Sequence, residues 1–582
     1  MTTPAQPPAP TPAPTPAPTA EAKERIDRIV DELVHGEAAW AACSLAERRT
    51  LLERVHAATA ARAEAWVRAA AAYKKLPDQD ALLGEEWTSG PYPVLIGTSA
   101  LAQTVRALEE GRSPVDDFTL GQAPGGRVAV RVLPHDTYDR LLLSGFSAEV
   151  WMPSGVSADT VRDGAGLGLR RPEETGGVGV VLGAGNITSI PVLDVLYELY
   201  AHNRVVVLKL NPLTDSLYDV FSEVLAPLIE RGVVRIVTGG ADIGTYLVHH
   251  PRIRHVHMTG SALTHDAIVY GTGADGAARK EAGTPLLEKD ITSELGGVSP
   301  TIVVPGTWSE ADLRFQAEHV ATQRLHNGGY NCVASQVVVI SSDWPQKDRF
   351  LEQLRAVLAE APQRAAYYPG SDERVGQALT AYPDAARLGE RLLVEGLDPQ
   401  RPGPALTTEY FAPVLGVLEL PGGAREFLDT AVRTANEKFT GTLGANVIAH
   451  PRTIAELGPD LDLAIAELRY GTVALNAWTG LGYLTARASW GAFPGHTVDD
   501  VQSGIGVVHN AVLLDSPERT VVRGPFRPAP RSVLHGELSM SPKPPWFVTN
   551  RTGATTGRLL VDFAARPRWS ALPKIFASAL RG

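Results

Sequence analysis

Hydrophobic residues recur with helical spacing in the first part of the chain. Over residues 21–72, apolar positions such as Ile26, Ile29 and Val30 are separated by charged residues, which is the spacing of an amphipathic helix. Over residues 127–152 the pattern changes to the short β-rich runs VAVRV and AEVWM on either side of LLLSGF. The pattern predicts a helical entry region, followed by a hairpin or pair of strands that stands off the main body.

From Gly176 onward, strand-like and helix-like segments alternate. The runs VGVVLGA, VVVLKL, VVRIVTG and HVHMTG are separated by segments with helical spacing, and a second block contains TIVVP at 301 and QVVVI at 336. Runs rich in Val and Ile, separated by helices of about ten to fifteen residues, are typical of βαβ units in a parallel sheet. We therefore predict an α/β fold with two doubly wound halves and a ligand cleft between them.

Two segments near the chain ends differ in composition from the rest. Residues 1–20 contain eight Pro, five Ala and no charge, which predicts a disordered, polyproline-like tail. The last 64 residues, 519–582, hold eleven Lys and Arg against two acidic residues. This basic extension is predicted to pack on the acidic body or on a partner subunit. In an alternative interpretation, its segment RPRWSALPKIFASALRG forms an interfacial membrane helix.

The overall composition excludes several classes of protein. A net charge of −11 gives no general attraction to phosphate backbones, so nucleic acid is not expected as a partner. No run of eighteen apolar residues occurs, so no ordinary membrane-spanning helix is predicted. The two cysteines, Cys43 and Cys332, are too few for a disulfide framework or a four-thiolate zinc site. Together these features favour a reducing, cytoplasmic location.

Five histidines between His249 and His265 raise the question of a metal site. No cysteine joins them, and the adjacent Asp266 does not complete a ligand pattern. His255 and His257 alternate along a predicted strand and therefore share one of its faces. We predict packing and ordinary hydrogen bonding for these side chains, and no metal site.

Cys332 is the candidate nucleophile. It lies in HNGGYNCVASQVVV, in a loop between a predicted helix and a predicted strand, where a glycine pair and polar neighbours leave it accessible. A cysteine acts as a nucleophile only where its surroundings support a thiolate. The alternative is a small buried hydrophobic residue, which is our interpretation of Cys43 on its predicted helix.

Three polar residues follow predicted strands. Glu294 ends a strand in TSELGGVSP, Asn186 follows a buried strand in LGAGNITSIP, and Lys209 ends the next strand in VVVLKL. Ligands bind where the carboxyl ends of parallel strands meet at one edge of a sheet, so these side chains are candidate site residues. The alternative for a lone glutamate at a strand end is a solvated cap.

Seven motifs in the same order carry a resemblance to a known family. SELGG is similar to the family's glutamate motif, NGGYNC to its cysteine motif, and TEYFAP at 408–413 to the motif whose glutamate and phenylalanine hold the nicotinamide ribose. RIVTGG, HVHMTGS, GTVALN and NEKFTGTLGANV match lesser landmarks. By these motifs, residues 21–510 resemble the aldehyde dehydrogenase superfamily.

The resemblance implies a division of the chain into domains. A cofactor-binding domain is expected over 21–296, with a protruding oligomerisation hairpin near 127–155, and a catalytic domain is expected over 297–500. Residues 501–582 are expected to supply an oligomerisation strand and the basic C-terminal extension. Because family members assemble through the hairpin and this strand, the resemblance implies a homodimer or a homotetramer.

The resemblance also implies an activity, the NAD(P)-dependent oxidation of an aldehyde to a carboxylic acid. Cys332 would attack the small-molecule aldehyde, while the Asn186 amide and the Cys332 backbone N–H would hold the oxyanion. Glu294 would activate the water that hydrolyses the resulting thioester. The residues implied in binding NAD or NADP are Lys209, Thr259, Gly260, Ser261, Gly296, Glu409 and Phe411.

Several positions depart from the family pattern. Pro212 stands where members often carry a glutamate that binds the adenosine ribose, so the choice between NAD and NADP is left open. His265 replaces a glycine at the helix start after TGS, which puts the close approach of pyrophosphate in doubt. Tyr330 stands where glutamine is usual. A bulky or aromatic aldehyde is suggested by three aromatic residues that suit the wall of an apolar tunnel: Trp478, Tyr483 and Trp490.

Two alternative functions remain open on the sequence. An acyl-CoA reductase or acylating dehydrogenase has the same scaffold but generally lacks the general-base glutamate, so Glu294 favours hydrolysis. A non-catalytic binding protein that retains the fold is suggested by the altered cofactor loop and the long C-terminal addition. The presence of Cys332, Glu294 and Asn186 together disfavours it.

Overall fold

The computed structural model describes residues 17–77 and 80–582. The tail predicted over 1–20 lies mostly outside these ranges. Within them, the α-helices in chain order are α1 (Ala20–Ala41), α2 (Leu45–Tyr73), α3 (Leu83–Ser89), α4 (Pro91–Glu109), α5 (Thr137–Leu142), α6 (Ala158–Gly164), α7 (Ile190–His202), α8 (Tyr218–Val224), α9 (Ala226–Glu230), α10 (Ala241–His249), α11 (Ala262–Val269), α12 (Gly273–Ala282), α13 (Glu310–Leu325), α14 (Lys347–Glu360), α15 (Ser371–Ala381), α16 (Pro404–Thr407), α17 (Ala424–Lys438), α18 (Pro451–Leu457), α19 (Pro459–Glu467), α20 (Gly480–Tyr483), α21 (Gly553–Ala565) and α22 (Leu572–Ala579).

The strands of the described ranges, in chain order, are β1 (Thr119–Ala123), β2 (Arg127–Leu133), β3 (Ser147–Trp151), β4 (Val178–Leu182), β5 (Val205–Lys209), β6 (Val234–Val237), β7 (Ile253–Gly260), β8 (Asp290–Leu295), β9 (Ser299–Val303), β10 (Ser335–Ser341), β11 (Ala386–Leu388), β12 (Arg391–Leu397), β13 (Val414–Leu420), β14 (Gly444–Ile448), β15 (Thr472–Leu475), β16 (Ser489–Gly491), β17 (Gly504–Ile505), β18 (Val507–Asn510) and β19 (Arg519–Arg523).

The predicted helical entry region is confirmed as the two long helices α1 and α2. A capping box starts α2, because the Ser44 hydroxyl accepts from the Glu47 N–H and the Glu47 carboxylate accepts from the Ser44 N–H. Buried Ile26 and Leu52 pack in the same core as the first sheet. Cys43 is buried in that core, as predicted for a small hydrophobic residue.

The first sheet has six strands in the order β17-β8-β7-β4-β5-β6. The five strands from β8 to β6 run parallel, and only the short β17 is antiparallel. Strands β4 and β5 are nearly all Val and Leu and are buried on both faces, as expected where crossover helices cover both sides of a parallel sheet. The predicted βαβ pattern is confirmed here.

The second sheet has eleven strands in the order β1-β2-β3-β19-β15-β14-β9-β10-β13-β12-β11. Its central strands, from β19 to β12, run parallel, and the pairs at both edges are antiparallel. The chain crosses from the first sheet to the second over residues 296–298, between β8 and β9. The structure thus has the two predicted α/β halves.

The predicted hairpin or pair of strands near 127–155 is present as β2 and β3, which join the second sheet close to one of its edges. Strand β3 pairs antiparallel with β19 of the same chain, with Trp151 opposite Arg519, and β19 pairs in parallel with β15. A free strand edge exposes unpaired N–H and C=O groups that any suitable strand can satisfy, and here β19 satisfies two edges at once. The predicted homodimer or homotetramer stays a prediction.

The basic C-terminal extension packs on the body of the same chain. Helix α21 lies against α3, α4 and α2, and Lys543 forms an ion pair with Glu318 at 2.8 Å. The interpretation of its last segment as a membrane-surface helix is not supported, because Leu572 and Ile575 of α22 are buried against Phe563 of α21. No helix within the described ranges is both long and apolar enough to span a bilayer.

Candidate active site

All ten predicted site residues line one cleft of about 620 Å³. The cleft lies at the carboxyl ends of β4, β5, β7 and β8. Cys332, Glu409 and Phe411, from the second half of the chain, complete its lining. This is the position in which open parallel sheets bind ligands. The ten residues are Asn186, Lys209, Thr259, Gly260, Ser261, Glu294, Gly296, Cys332, Glu409 and Phe411.

Cys332 is held by a tight loop that follows helix α13. Asn327, Gly328 and Gly329 all have positive φ angles, of 55°, 69° and 86°, a run that turns the chain sharply and that Gly accepts without strain. A side chain on Gly329 would meet the backbone carbon and oxygen of Ala412 at 3.2 Å. The loop presents Cys332, which is partly buried, at the inner end of the cleft.

The surroundings of Cys332 favour its neutral thiol over the thiolate. Burial raises the pKa of Cys332 well above its ordinary value, and the negative charges of Glu294 and Glu409 raise it further. A neutral thiol is a weak nucleophile. The site therefore needs a group that removes the thiol proton or a cation that stabilises the thiolate.

Glu294 lies at the end of β8, beside Thr259 of β7 in the parallel register. Its side chain is 1% exposed, and neither carboxylate oxygen has a hydrogen-bond partner in the described part of the chain. Burial raises the pKa of Glu294 to about 7, and the nearby Cys332 thiol opposes that shift only partly. A carboxyl group with a pKa near neutrality is suited to general-base catalysis.

Asn186 follows β4 and is tied to the cysteine loop. Its side-chain amide donates to the Tyr330 carbonyl at 2.9 Å, and its own backbone carbonyl accepts from the Asn327 side-chain amide at 3.2 Å. An asparagine NH₂ group has two donors, so a second N–H of Asn186 is available for a ligand in the cleft. The contact with Tyr330 uses its backbone, which explains why a tyrosine is compatible with this geometry.

Glu409 and Phe411 form the opposite wall of the cleft. Burial raises the pKa of Glu409 to about 8, with Arg324 as the main opposing charge. Phe411 has a positive φ of 43°, a strained conformation for an aromatic residue that is typical of functional sites. Any side chain on Gly296 would collide with the Glu409 carboxylate.

His265 does not obstruct the cleft. It is fully buried on α11 and is absent from the cleft lining. The N-terminus of α11 is capped instead by Ser261, whose hydroxyl accepts from the Thr264 N–H at 3.2 Å. The His265 side chain therefore does not crowd the space in which pyrophosphate would approach this helix start.

A second, apolar cavity meets the cleft at Cys332. The three aromatic residues singled out in the sequence, Trp478, Tyr483 and Trp490, line it. Sequence reasoning missed the other members, although Ile187 and Ile190 follow Asn186 directly. The missed lining residues are Thr88, Ser89, Ile187, Ile190, His326, Asn331, Val333, Gly480 and Leu484.

One group of potential metal ligands in the described residues lies outside this site. Asp312, His450 and His535 have ligand atoms within 4.8 Å of one another. The Asp312 carboxylate is already used, since Ser309 binds one oxygen at 2.6 Å and Arg527 lies 3.6 Å from the other. The group therefore anchors the C-terminal extension. The two predicted strand histidines, His255 and His257, both contact the Thr292 hydroxyl at 2.9 Å.

The sequence is similar to known proteins over part of its length. Residues 175–376 match the profile of the aldehyde dehydrogenase family. The chain is 26% identical over 330 residues to 1-pyrroline-5-carboxylate dehydrogenase of Geobacillus thermodenitrificans, covering 53% of this chain and 61% of that protein. It is 26% identical over 191 residues to D-glyceraldehyde dehydrogenase (NADP(+)) of Thermoplasma acidophilum, covering 32% of this chain and 36% of that protein.

The fold is similar to solved structures over most of the chain. An NAD-dependent aldehyde dehydrogenase from Sinorhizobium meliloti superposes with a TM-score of 0.57 at 18% identity, covering 90% of this chain and 89% of that one. An indole-3-acetaldehyde dehydrogenase complexed with NAD+ gives a TM-score of 0.55 at 18% identity, covering 86% and 88%. The matched profile spans the segments that carry Asn186, Glu294 and Cys332. Residues 175–376 therefore match the aldehyde dehydrogenase family, and the chain has the fold of aldehyde dehydrogenase structures.

Proposed function

We propose that this protein oxidises an uncharged, apolar aldehyde to a carboxylic acid with NAD or NADP as the acceptor. The main supporting observation is the position of Cys332, which lines both the open cleft and the apolar cavity. A nucleophile at this junction can reach an aldehyde in the cavity while facing a cofactor in the cleft. Asn186 and Glu294 lie at the same junction.

The residues of the cleft fit a nicotinamide dinucleotide. Its size is within the range of small-molecule sites, and Lys209, Glu409 and Phe411 offer a cation, a ribose-hydroxyl acceptor and an aromatic wall. When bound, the cofactor supplies the hydride acceptor. Because Gly296 has no side chain, the Glu409 carboxylate can lie directly against it in the cleft.

In the first step, the Cys332 thiol gives its proton to solvent water in the open cleft, and the sulfur forms a bond to the aldehyde carbon. Negative charge then develops on the aldehyde oxygen. The free N–H of Asn186 and the Cys332 backbone N–H are the donors for this oxyanion, and a preorganised donor of this kind is worth about 3 to 4 kcal/mol. Loss of hydride from the same carbon leaves a thioester on Cys332.

In the second step, Glu294 takes a proton from water, whose oxygen attacks the thioester carbon. The carbon–sulfur bond breaks, the proton held by Glu294 passes to the departing Cys332 sulfur, and the carboxylic acid is released with the free thiol restored. Burial without a hydrogen-bond partner leaves the Glu294 carboxylate available for this water. The presence of Glu294 supports hydrolysis over acyl transfer to coenzyme A, because acyl transfer to a thiol uses no water molecule that a general base would have to activate.

The aldehyde cavity favours substrates without charge. No Lys, Arg, Asp or Glu lines it in the described residues, and burial lowers the pKa of His326 to about 3, so that its ring is neutral. A carboxylate that entered would lose its hydration without gaining a counter-ion, which is costly. Aromatic and long aliphatic aldehydes suit the Trp478 and Trp490 walls.

A direct comparison tests this substrate class. We expect kcat/KM for the methyl ester of succinic semialdehyde to exceed that for succinic semialdehyde by about 100-fold, because the two differ chiefly in one buried charge. Benzaldehyde and octanal should exceed both. Production of the reduced cofactor, followed by absorbance, measures each rate. Equal rates for the acid and its ester would contradict the uncharged-substrate proposal.

The cleft should accept NADP at least as well as NAD. Pro212 stands at the end of the cleft that also contains Lys209 and His249, and the carboxylates among the lining residues are Glu294 and Glu409. The described lining thus places no carboxylate beside Lys209, and the charges of Asp215 and Asp242 act on Lys209 from outside the lining. Lys209→Met should weaken NADP binding at least about tenfold more than NAD binding, because it removes a charge-assisted contact.

Cofactor dissociation constants measured by tryptophan fluorescence test this expectation. Lys280→Met is the matched control, since Lys280 pairs with Asp266 outside the cleft. It should leave both constants nearly unchanged. An equal loss of NAD and NADP affinity in Lys209→Met would argue that the lysine binds only groups that the two cofactors share.

A further inference from the structure

The part of the C-terminal extension that follows β19, residues 524–582, has no part in the chemistry proposed above, yet it contacts both elements that flank the cysteine loop. We propose that these residues position the Cys332 loop and one wall of the aldehyde cavity through their contact with helix α3. We call this positioning role the brace. This inference deepens the proposed function and rests on it for its kinetic consequences.

Helices α21 and α3 touch through their backbones. A side chain on Gly84 of α3 would lie 2.6 Å from the Gly553 carbonyl oxygen and 2.9 Å from the Ala554 nitrogen. One turn further along α21, Gly557 lies against Trp87, and an added side chain would approach its Cβ at 3.0 Å. Glycine at Gly84 and Gly557 is what permits this close approach.

The next residues of α3 hold the cysteine loop. Glu85 accepts a hydrogen bond from the Asn327 backbone N–H at 2.9 Å, and Glu86 pairs with Lys74 at 2.9 Å. Arg364 bridges both glutamates. All four charged side chains are at most 5% exposed, so each depends on its partners to remain buried.

Asn327 connects helix α3 to Asn186 and to the loop that carries Cys332. Its side-chain amide donates to the Asn186 carbonyl at 3.2 Å and to the Tyr330 carbonyl at 3.1 Å. Lys74 donates to the Asn327 side-chain oxygen at 3.2 Å. A shift of α3 therefore moves the support of both Asn186 and the Cys332 loop.

The end of α3 also forms part of the aldehyde cavity. Thr88 and Ser89 line it. The Ser189 hydroxyl donates to the Ser89 carbonyl at 2.6 Å and contacts the Tyr483 hydroxyl at 2.6 Å. The position of α3 thus sets one wall of the cavity and, through Ser189, the position of Tyr483.

The extension also contacts helix α13, which lies on the other side of the cysteine loop and leads directly into that loop. The Val548 N–H donates to the Thr322 hydroxyl at 3.2 Å, and Phe547 stacks on Phe315 with ring centres 5.3 Å apart. With α3 on one side and α13 on the other, the cysteine loop is enclosed between two elements that the extension contacts.

Gly84→Ala tests the brace in the full-length protein. The new methyl group would meet backbone atoms of Gly553 and Ala554, which cannot rotate away, so α21 and α3 must separate. We expect kcat/KM for the aldehyde to fall about tenfold or more, since small misplacements of reacting groups are costly. Cofactor dissociation constants should stay within about twofold. Gly557→Ala, with a milder clash, should have a smaller effect of the same kind.

Gly376→Ala is the matched control, because it adds a methyl group to helix α15 where no atom lies within 4 Å. It should leave the kinetic constants unchanged. A second readout is the rate at which iodoacetamide alkylates Cys332, measured in a Cys43→Ser background. Gly84→Ala should change this rate and Gly376→Ala should not.

The outcomes separate the brace from the proposed function. If Gly84→Ala is folded by circular dichroism and changes neither the aldehyde constants nor the alkylation rate, the brace is wrong. Equal losses of cofactor and aldehyde binding would also overturn it, because they indicate general disruption. Should Gly84→Ala not fold, Gly557→Ala decides by the same criteria. If the wild type oxidises no aldehyde, the proposed function fails, and the alkylation rate still decides on the brace.

Discussion

Cys332→Ser is expected to reduce aldehyde oxidation to below about 1% of the wild-type rate, because a hydroxyl is a far poorer nucleophile than a thiol near neutral pH. The replacement is nearly isosteric, and the loop that carries Cys332 is shaped by the backbone of Asn327, Gly328 and Gly329. The fold and cofactor binding should therefore persist. The rate of cofactor reduction, together with a cofactor dissociation constant, measures both effects.

Cys43→Ser provides the control for this experiment. Cys43 lies in the core between the entry helices and the first sheet, far from the cleft lining. It should cost some stability but little activity. A Cys332→Ser enzyme that retained more than a few per cent of turnover would mean that another group is the nucleophile. A wild-type protein that bound cofactor but oxidised no aldehyde would favour a binding role.

Glu294→Gln is expected to separate the two chemical steps. The amide cannot accept a proton from water, so the variant should reduce cofactor once per active site and then stall at the thioester. The burst should be stoichiometric with active sites, and the steady rate should fall by about 100-fold, the usual size of a lost general base. Rapid-mixing absorbance of the reduced cofactor measures both phases.

The steady rate of the wild type is expected to depend on pH in a defined direction. Burial raises the pKa of Glu294 to about 7, and only the deprotonated carboxylate can act as base. The steady rate of the wild type should therefore rise as the pH passes through about 7 and level off above it. In Glu294→Gln the steady rate should lose this dependence.

Two results would reverse the assignment of Glu294. If coenzyme A restored rapid turnover in the wild type and acyl-CoA were the main product, acyl transfer rather than hydrolysis would be the reaction. If Glu294→Gln bound cofactor normally but showed no burst, Glu294 would act before hydride transfer. The raised pKa of the Cys332 thiol makes its deprotonation the step to examine in that case.

The parts of the fold that depend on local pattern could be predicted from the sequence. Runs of Val in β4 and β5 predicted buried parallel strands, because a strand covered on both faces must be apolar throughout. The candidate site was also readable from the sequence. Asn186, Lys209 and Glu294 follow or end their strands, and in a parallel sheet such ends meet at one edge.

The partners of the strand edges could be identified only from the three-dimensional structure. Nothing in the sequence of β3 or β19 states whether each pairs within the chain or with another copy, because backbone hydrogen bonds are the same in both cases. The direction of His265 was likewise hidden, since a residue at a helix start can point to the ligand or to the core. In the structure it points to the core.

The supports of the site could not be read from the sequence either. Lys74, Glu85 and Glu86 have the sequence appearance of solvated surface residues, and Arg364 lies far from them along the chain. Their side chains are buried where α3 lies between the cysteine loop and α21. A glycine such as Gly84 reveals its role only when its neighbour Gly553 is known. Sequence pattern specifies which residues can react, whereas long-range packing decides how they are held.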